Sequence, residues 1–264
     1  MILVNGPSQY SVDSLVAKSS SSNFYVCSSG EKKYFLQIAA TTEQNAKLDF
    51  ASYILKEMKQ VSDKLEIRFR SSHPNEQLNY DWLFPTVIES FLPSNQGNRS
   101  VNILAVNGGA LLDQMVPLCN ILHKDRKIID LATSVWIIGR LLRLLVLAHD
   151  QCISLRLYSD NIIIEPKNHH VVVLDWINAK MYQDEIPEKE RVRDIASVAY
   201  VALEAIGESD SKPFRYSGNI YVDFLRELAT SLRGDIKGVY SDFESAHGQI
   251  FNREVFYPFT TFPI

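Results

Sequence analysis

The chain is poor in the residues that would tie it to several common functional classes. Its three cysteines, Cys27, Cys119 and Cys152, are far apart, odd in number and lack metal-site spacing. Neither a disulfide framework nor a zinc site is expected, and a reducing cytoplasm fits. No basic cluster stands out against a formal net charge of −4, which leaves no electrostatic footprint for nucleic acid or an anionic membrane. The opening MILVNGPSQYS has neither a basic n-region nor a long apolar core and is not expected to be a signal peptide. The best membrane candidate, Leu131 to His149, carries Arg140 and Arg143 near its middle. At about 2.5 to 3.5 kcal/mol each on insertion scales, they favour a buried core helix over a membrane span.

What is there is a large apolar supply. At 264 residues and 46% hydrophobic, the chain can bury a core sufficient for one large domain or two lobes. Period-2 segments come first: strands around Leu15 to Ala17, Asn23 to Cys27 and Tyr34 to Ala39, with turns at Ser19 to Ser22 and Ser28 to Gly30. A helix is expected from Glu43 to Gln60, then strands at Leu65 to Phe69, Phe84 to Phe91 and Val101 to Val106. Gly108 and Gly109 make a flexible joint, after which longer helical patterns dominate: Ile128 to His149, Glu190 to Gly207, Val222 to Leu232 and Ser241 to Phe251. Arg140 and Arg143 need partners in the first of these, and Asp125 and Asp130 are the nearby acids. Phe256, Tyr257, Phe259 and Phe262 make the end of the chain too apolar for a solvated tail.

Within the helical half lies LAHDQCISLRLYSDNIIIEPKNHHVVVLDW, Leu147 to Trp176. It reads as a helix end, an irregular loop, a strand Asn161 to Ile164, a turn through Pro166 to His170 and a strand Val171 to Trp176. In a hairpin Asn161 and Asp175 end side by side, so an amide oxygen and a carboxylate can converge on one cation.

This segment resembles the catalytic core of the protein kinase-like superfamily, where a helix ending in leucine and histidine leads into H-R-D-x-x-x-x-N, a hairpin and D-F-G. His149 matches the helix end, Asn161 the metal-binding asparagine, and Asp175 the metal-binding aspartate; Asp194 matches a buried aspartate that holds catalytic-loop backbone N–H groups. The resemblance implies an α+β, two-lobed fold: a β-rich N-lobe with one helix over 1–106, and a mainly helical C-lobe over 107–264 with a β-hairpin near 161–176.

The departures lie in the chemistry. Ser154 and Arg156 stand where the family has its histidine and catalytic aspartate, and Asp175, Trp176 and Ile177 replace D-F-G. In Tyr34-Phe35-Leu36-Gln37-Ile38 the nucleotide-binding lysine position is Gln37, which brings no charge to a polyphosphate. The glutamate that would orient that lysine falls on Ala51, with Glu43, Asp49 or Glu57 as the match in another register. The loop Ser19 to Ser22 has no glycine for close backbone approach to phosphate.

The chain thus resembles a pseudokinase: a catalytically impaired binding or scaffold module, with another protein as partner, no nucleic acid or membrane, and a cytoplasmic location. No catalytic residue is assigned. Gln37, Val106, Asn161 and Asp175 are the candidate nucleotide-binding residues, and Asn161 and Asp175 the candidate metal ligands. No cofactor is required; the resemblance admits ATP with Mg or Mn, weakly held, with its adenine on the Val106 to Ala110 backbone. Arg156 is expected to replace the metal as counter-ion of Asp175, the alternative being a guanidinium turned to solvent. A divergent ATP-dependent phosphotransferase is the second reading; it would recruit Lys18 or Lys33 for the missing lysine and Asp160 for the base.

Overall fold

The computed structural model describes residues 1–208, 216–251 and 257–263. The chain divides into two compact units, Met1–Pro117 with Val172–Ala179, and Leu118–Val171 with Lys180–Ile264. This is a two-lobed α+β organisation. The first unit runs past residue 106 because the next segment stays tied to it: Lys33 on a central strand pairs with Asp113 at 2.6 Å.

Unit 1 is built on six antiparallel strands, β1 (Ile2–Asn5), β2 (Ser8–Lys18), β3 (Ser22–Ser29), β4 (Lys32–Ala39), β5 (Thr86–Phe91) and β6 (Val101–Ala105), in the order β1-β2-β3-β4-β6-β5. A two-residue strand, β7 (Val116–Pro117), ends its first segment. The β1–β2 hairpin was not expected from the sequence. Its turn is Gly6-Pro7, with Gly6 at φ +55°, a conformation open to a residue without Cβ. The sheet curls until its two edges meet: Asn5 and Tyr10, on the first hairpin, both donate to the Glu89 carboxylate on β5. Inside the curl lies a cluster of Leu3, Tyr10, Cys27, Leu36, Ile38, Val101 and Ile103. Burial, then the hydrogen bond to Glu89, pushes the Tyr10 hydroxyl up to about 12.

Helix α1 runs Asn45–Ser72 and presents Leu48, Ala51, Ser52, Leu55, Met58 and Ser62 to the interior, a three-and-four spacing that lays one face inward. This corrects two expectations, a helix ending at Gln60 and a strand at Leu65 to Phe69. The alternation Leu65, Ile67, Phe69 imitates a strand, yet Ile67 is 72% exposed. Glu66 fixes the helical reading. It pairs with Arg70 one turn on at 2.7 Å and accepts from the N–H groups of Leu78 and Asn79. Burial alone would raise its carboxyl, but Arg70 and the two N–H groups hold it below the usual range.

Unit 2 is mainly helical: α2 (Leu131–Asp150), α3 (Glu188–Ala205), α4 (Ile220–Thr230) and α5 (Ile236–Ile250). Asp130 caps α2 by accepting from Thr133 N at 2.7 Å. Helix α2 is long and apolar enough to cross a membrane by length and composition. It packs against α3 and α5, and Gly139 lets the Phe243 ring of α5 close on its backbone, since a Cβ there would sit 3.1 Å from the ring. Ile128, expected at the start of α2, belongs instead to a strand, β8 (Lys127–Ile129). The remaining strands are short: β9 (Ile153–Ser154), β10 (Ile162–Glu165), β11 (His170–Val173), β12 (Lys180–Met181) and β13 (Thr261–Pro263). Of these, β12 pairs with β9 and β13 with β8. The strands expected at Asn161 to Ile164 and Val171 to Trp176 are β10 and β11; the second ends at Val173, leaving Asp175 and Trp176 in irregular chain. Of the C-terminal aromatics, Phe256 lies outside the described residues.

Candidate functional site

In unit 1 three polar side chains meet. Ser22, the first residue of β3, and Gln37 on β4 are buried, at 0% and 1% exposure. They lie diagonally on one face of the sheet, because Ser22 pairs with Ala39 and Phe24 with Gln37. Gln37 Nε2 donates to Ser22 Oγ and to Asp175 Oδ1, each at 3.2 Å. Ser22 Oγ donates in turn to Asp175 Oδ2 at 3.3 Å, and Ile177 N donates to Asp175 Oδ1 at 3.0 Å. Asp175 is held from behind by its neighbour: Trp176 is buried, donates its indole N–H to Val173 O at 2.8 Å, and sets its ring edge-on to Phe84. Ile177 packs with Ala39 and Leu48 of α1.

The structure therefore brings Gln37 and Asp175 together. Ser22 was missed as a site residue; its only sequence signal was a place at the end of the serine-rich turn. Ala51 is buried on the inner face of α1, Asp49 is exposed, and Glu43 lies in a separate turn before the helix. Val106 follows β6, and its neighbour Asn107 donates to Asp81 and Thr86.

The turn Ser19 to Ser22 uses its own backbone donors. Ser19 N donates to Ser22 O at 2.9 Å, while Ser21 N and Ser22 N both donate to Ser19 Oγ, at 3.2 and 3.0 Å. A glycine-rich loop keeps such N–H groups for phosphate; here a serine hydroxyl takes them.

In unit 2 the organising residue is Asp194 on α3, 1% exposed. Its carboxylate accepts from His149 Nε2 at 3.1 Å, Ser154 Oγ at 3.1 Å and Leu155 N at 2.9 Å. One turn along, Ser197 Oγ accepts from Leu157 N at 3.0 Å. Together they hold the 154–157 loop onto α3. Serine and histidine both bind the aspartate rather than each other, so the trio is a brace and not a nucleophile with its base.

Asn161 is used locally: its Oδ1 accepts from Tyr158 N at 2.9 Å and its Nδ2 donates to Arg156 O at 3.2 Å. Arg156 is exposed, its guanidinium 5.8 Å from the Tyr158 ring centroid. Among the described residues no group of three or more His, Cys, Asp or Glu is placed to hold a metal ion.

No family model matches the sequence, and no curated protein is significantly similar to it. Solved structures do resemble it. Vaccinia related kinase 3 superposes with a TM-score of 0.63 at 13% identity, covering 95% of this chain and 90% of that one. The BubR1 kinase domain gives 0.61 at 14% identity, with coverage of 94% and 83%. The PknI kinase domain of Mycobacterium tuberculosis gives 0.60 at 12% identity, with coverage of 90% and 96%. At such identities the likeness is one of fold.

Proposed function

From a two-lobed protein kinase-like fold as the premise, we propose that this chain is a catalytically impaired, kinase-like binding or scaffold module whose partner is another protein. The observation that carries the reading is the network of Gln37, Ser22 and Asp175. A lysine at position 37 would supply a positive charge both to Asp175 and to a polyphosphate. Gln37 supplies neutral N–H groups and spends them on Ser22 and Asp175, so a charge-assisted contact to nucleotide is lost.

Two further observations support it. The Ser19 to Ser22 turn directs the N–H groups of Ser19, Ser21 and Ser22 to its own acceptors. The Asp175 carboxylate is met by an amide, a hydroxyl and a backbone N–H, all of which point hydrogens at it, whereas a metal shell needs that carboxylate's lone pairs open. The donors around Asp175 do not fit a tightly held dication. A nucleotide held in the first unit by Gln37, Val106 and Asp175 would bind weakly and with little metal dependence. We place the protein in the cytoplasm, with neither nucleic acid nor membrane as partner.

The phosphotransferase reading is less well supported. Lys33 lies four residues from Gln37 on β4, about 13 Å along the strand, and is already paired with Asp113; Lys18 and Asp160 are exposed. A thermal-shift titration with ATP, alone and with magnesium or manganese, tests the proposal. A small shift at millimolar ATP that is the same with and without metal is expected; a large, metal-dependent stabilisation would overturn it.

A further inference from the structure

Helix α2 carries two hydrogen-bond donors one turn apart, outside every residue discussed for nucleotide. The indole Nε1 of Trp136 is buried and has no acceptor. Arg140, four residues on and therefore on the same face, makes no ion pair or hydrogen bond with any described residue. The surroundings give Trp136 no freedom to turn away. Its ring stacks on His169 with centroids 4.4 Å apart and planes within 9°, and Phe259 meets it edge-on at 6.4 Å.

Burial first, and then Arg143, pulls Arg140 below the ordinary arginine range, and Arg140 in turn helps to hold His169 down. The Glu165 carboxylate also acts on His169; it is buried and accepts from Lys167 N and Asn168 N at 3.0 and 3.1 Å. Tyr240 of α5 also faces Arg140. Among the described residues, a half-buried guanidinium without a paired carboxylate and a buried indole N–H without an acceptor are two costs with one remedy, an anion that accepts from both.

We propose that Trp136 and Arg140 form a binding site for a small tetrahedral oxyanion, phosphate in free or monoester form. Its place in unit 2 and its residues are independent of the Gln37 network, so it stands or falls separately from the function proposed above.

The test follows the indole N–H resonances of the full chain by two-dimensional ¹H–¹⁵N NMR. There are three tryptophans, and Trp136→Phe identifies the signal of interest. Sodium phosphate is titrated at ionic strength held constant with chloride, with a parallel titration of a simple phosphomonoester and of acetate. The Trp136 signal is expected to move saturably with phosphate and to move far less with acetate; the monoester arm distinguishes a free ion from a phosphorylated small molecule. Arg140→Gln should weaken binding by about tenfold or more, the worth of a charge-assisted contact. Movement that does not saturate, or an unchanged affinity in Arg140→Gln, overturns the proposal. Should that variant fail to fold, Arg140→Lys keeps the charge and loses the fork; unchanged affinity there overturns it equally, and weakened affinity supports it.

Discussion

Gln37 illustrates how the charge of one side chain constrains its neighbours. A buried lysine there would need Asp175 as its counter-ion, whereas the amide needs only acceptors and finds them in Ser22 and Asp175. Replacing it with leucine keeps the volume and strips both acceptors of a donor. Gln37→Leu should therefore cost about 1 to 3 kcal/mol of stability, read by denaturant unfolding. Gln37→Lys should instead enlarge the thermal shift given by ATP.

Two other residues make predictions at this scale. Burial, then Asp13, pushes the Cys27 thiol up to about 12, so a thiol reagent at pH 8 should label Cys27 only after unfolding. His169 is held below its ordinary 6.5 by burial first and by Arg140 next. The folded state then binds fewer protons than the unfolded state as pH falls through about 6.5, so the contribution is intact above that pH and lost below it. His169→Asn, which tolerates the φ of +56° at that position, should flatten the fall in stability on acidification below pH 6.5, measured by denaturant melts across pH.

Among the elements, the loop that follows α2 depends on α3. Asp194 accepts from His149 Nε2, Ser154 Oγ and Leu155 N together, and its loss leaves these buried donors without that acceptor. Asp194→Ala should destabilise by about 3 kcal/mol or more, a fall in Tm of roughly 6 to 12 °C for a chain of this size. Asp194 was legible in the sequence because it matches the buried aspartate of the kinase-like pattern in joint spacing with His149 and Asn161. The end of α1 was not. Leu65, Ile67 and Phe69 alternate as a strand does, and what makes them helical is long-range: the Glu66 carboxylate ties that turn to Leu78 and Asn79. The β1–β2 hairpin was equally hidden, since Ile2 to Asn5 is too short to carry a period and it is tied to Glu89, 84 residues from Asn5 and 79 from Tyr10. Ser22 was illegible as a site residue for the same reason, since only the strand register puts it beside Gln37 and Asp175.

At the scale of the molecule, fold and chemistry are separable. The sequence identity to kinase structures is 12 to 14%, yet the fold is shared, because the curled sheet, the long α1 and the helical unit rest on apolar burial and backbone satisfaction. Within the resemblance, the positions that differ are those of the nucleotide-binding lysine (Gln37), of the histidine and catalytic aspartate (Ser154 and Arg156) and of the glycine-rich loop (Ser19 to Ser22). General-base assistance alone is worth roughly 10² to 10⁴ in rate, and on the proposed reading it is absent together with the lysine. The most direct measurement is transfer of label from γ-labelled ATP, with magnesium or manganese, to the chain itself and to generic acceptor proteins, comparing the native sequence with Asp175→Asn. The account predicts that the two are indistinguishable at background. Turnover in the native chain that Asp175→Asn abolishes would contradict it.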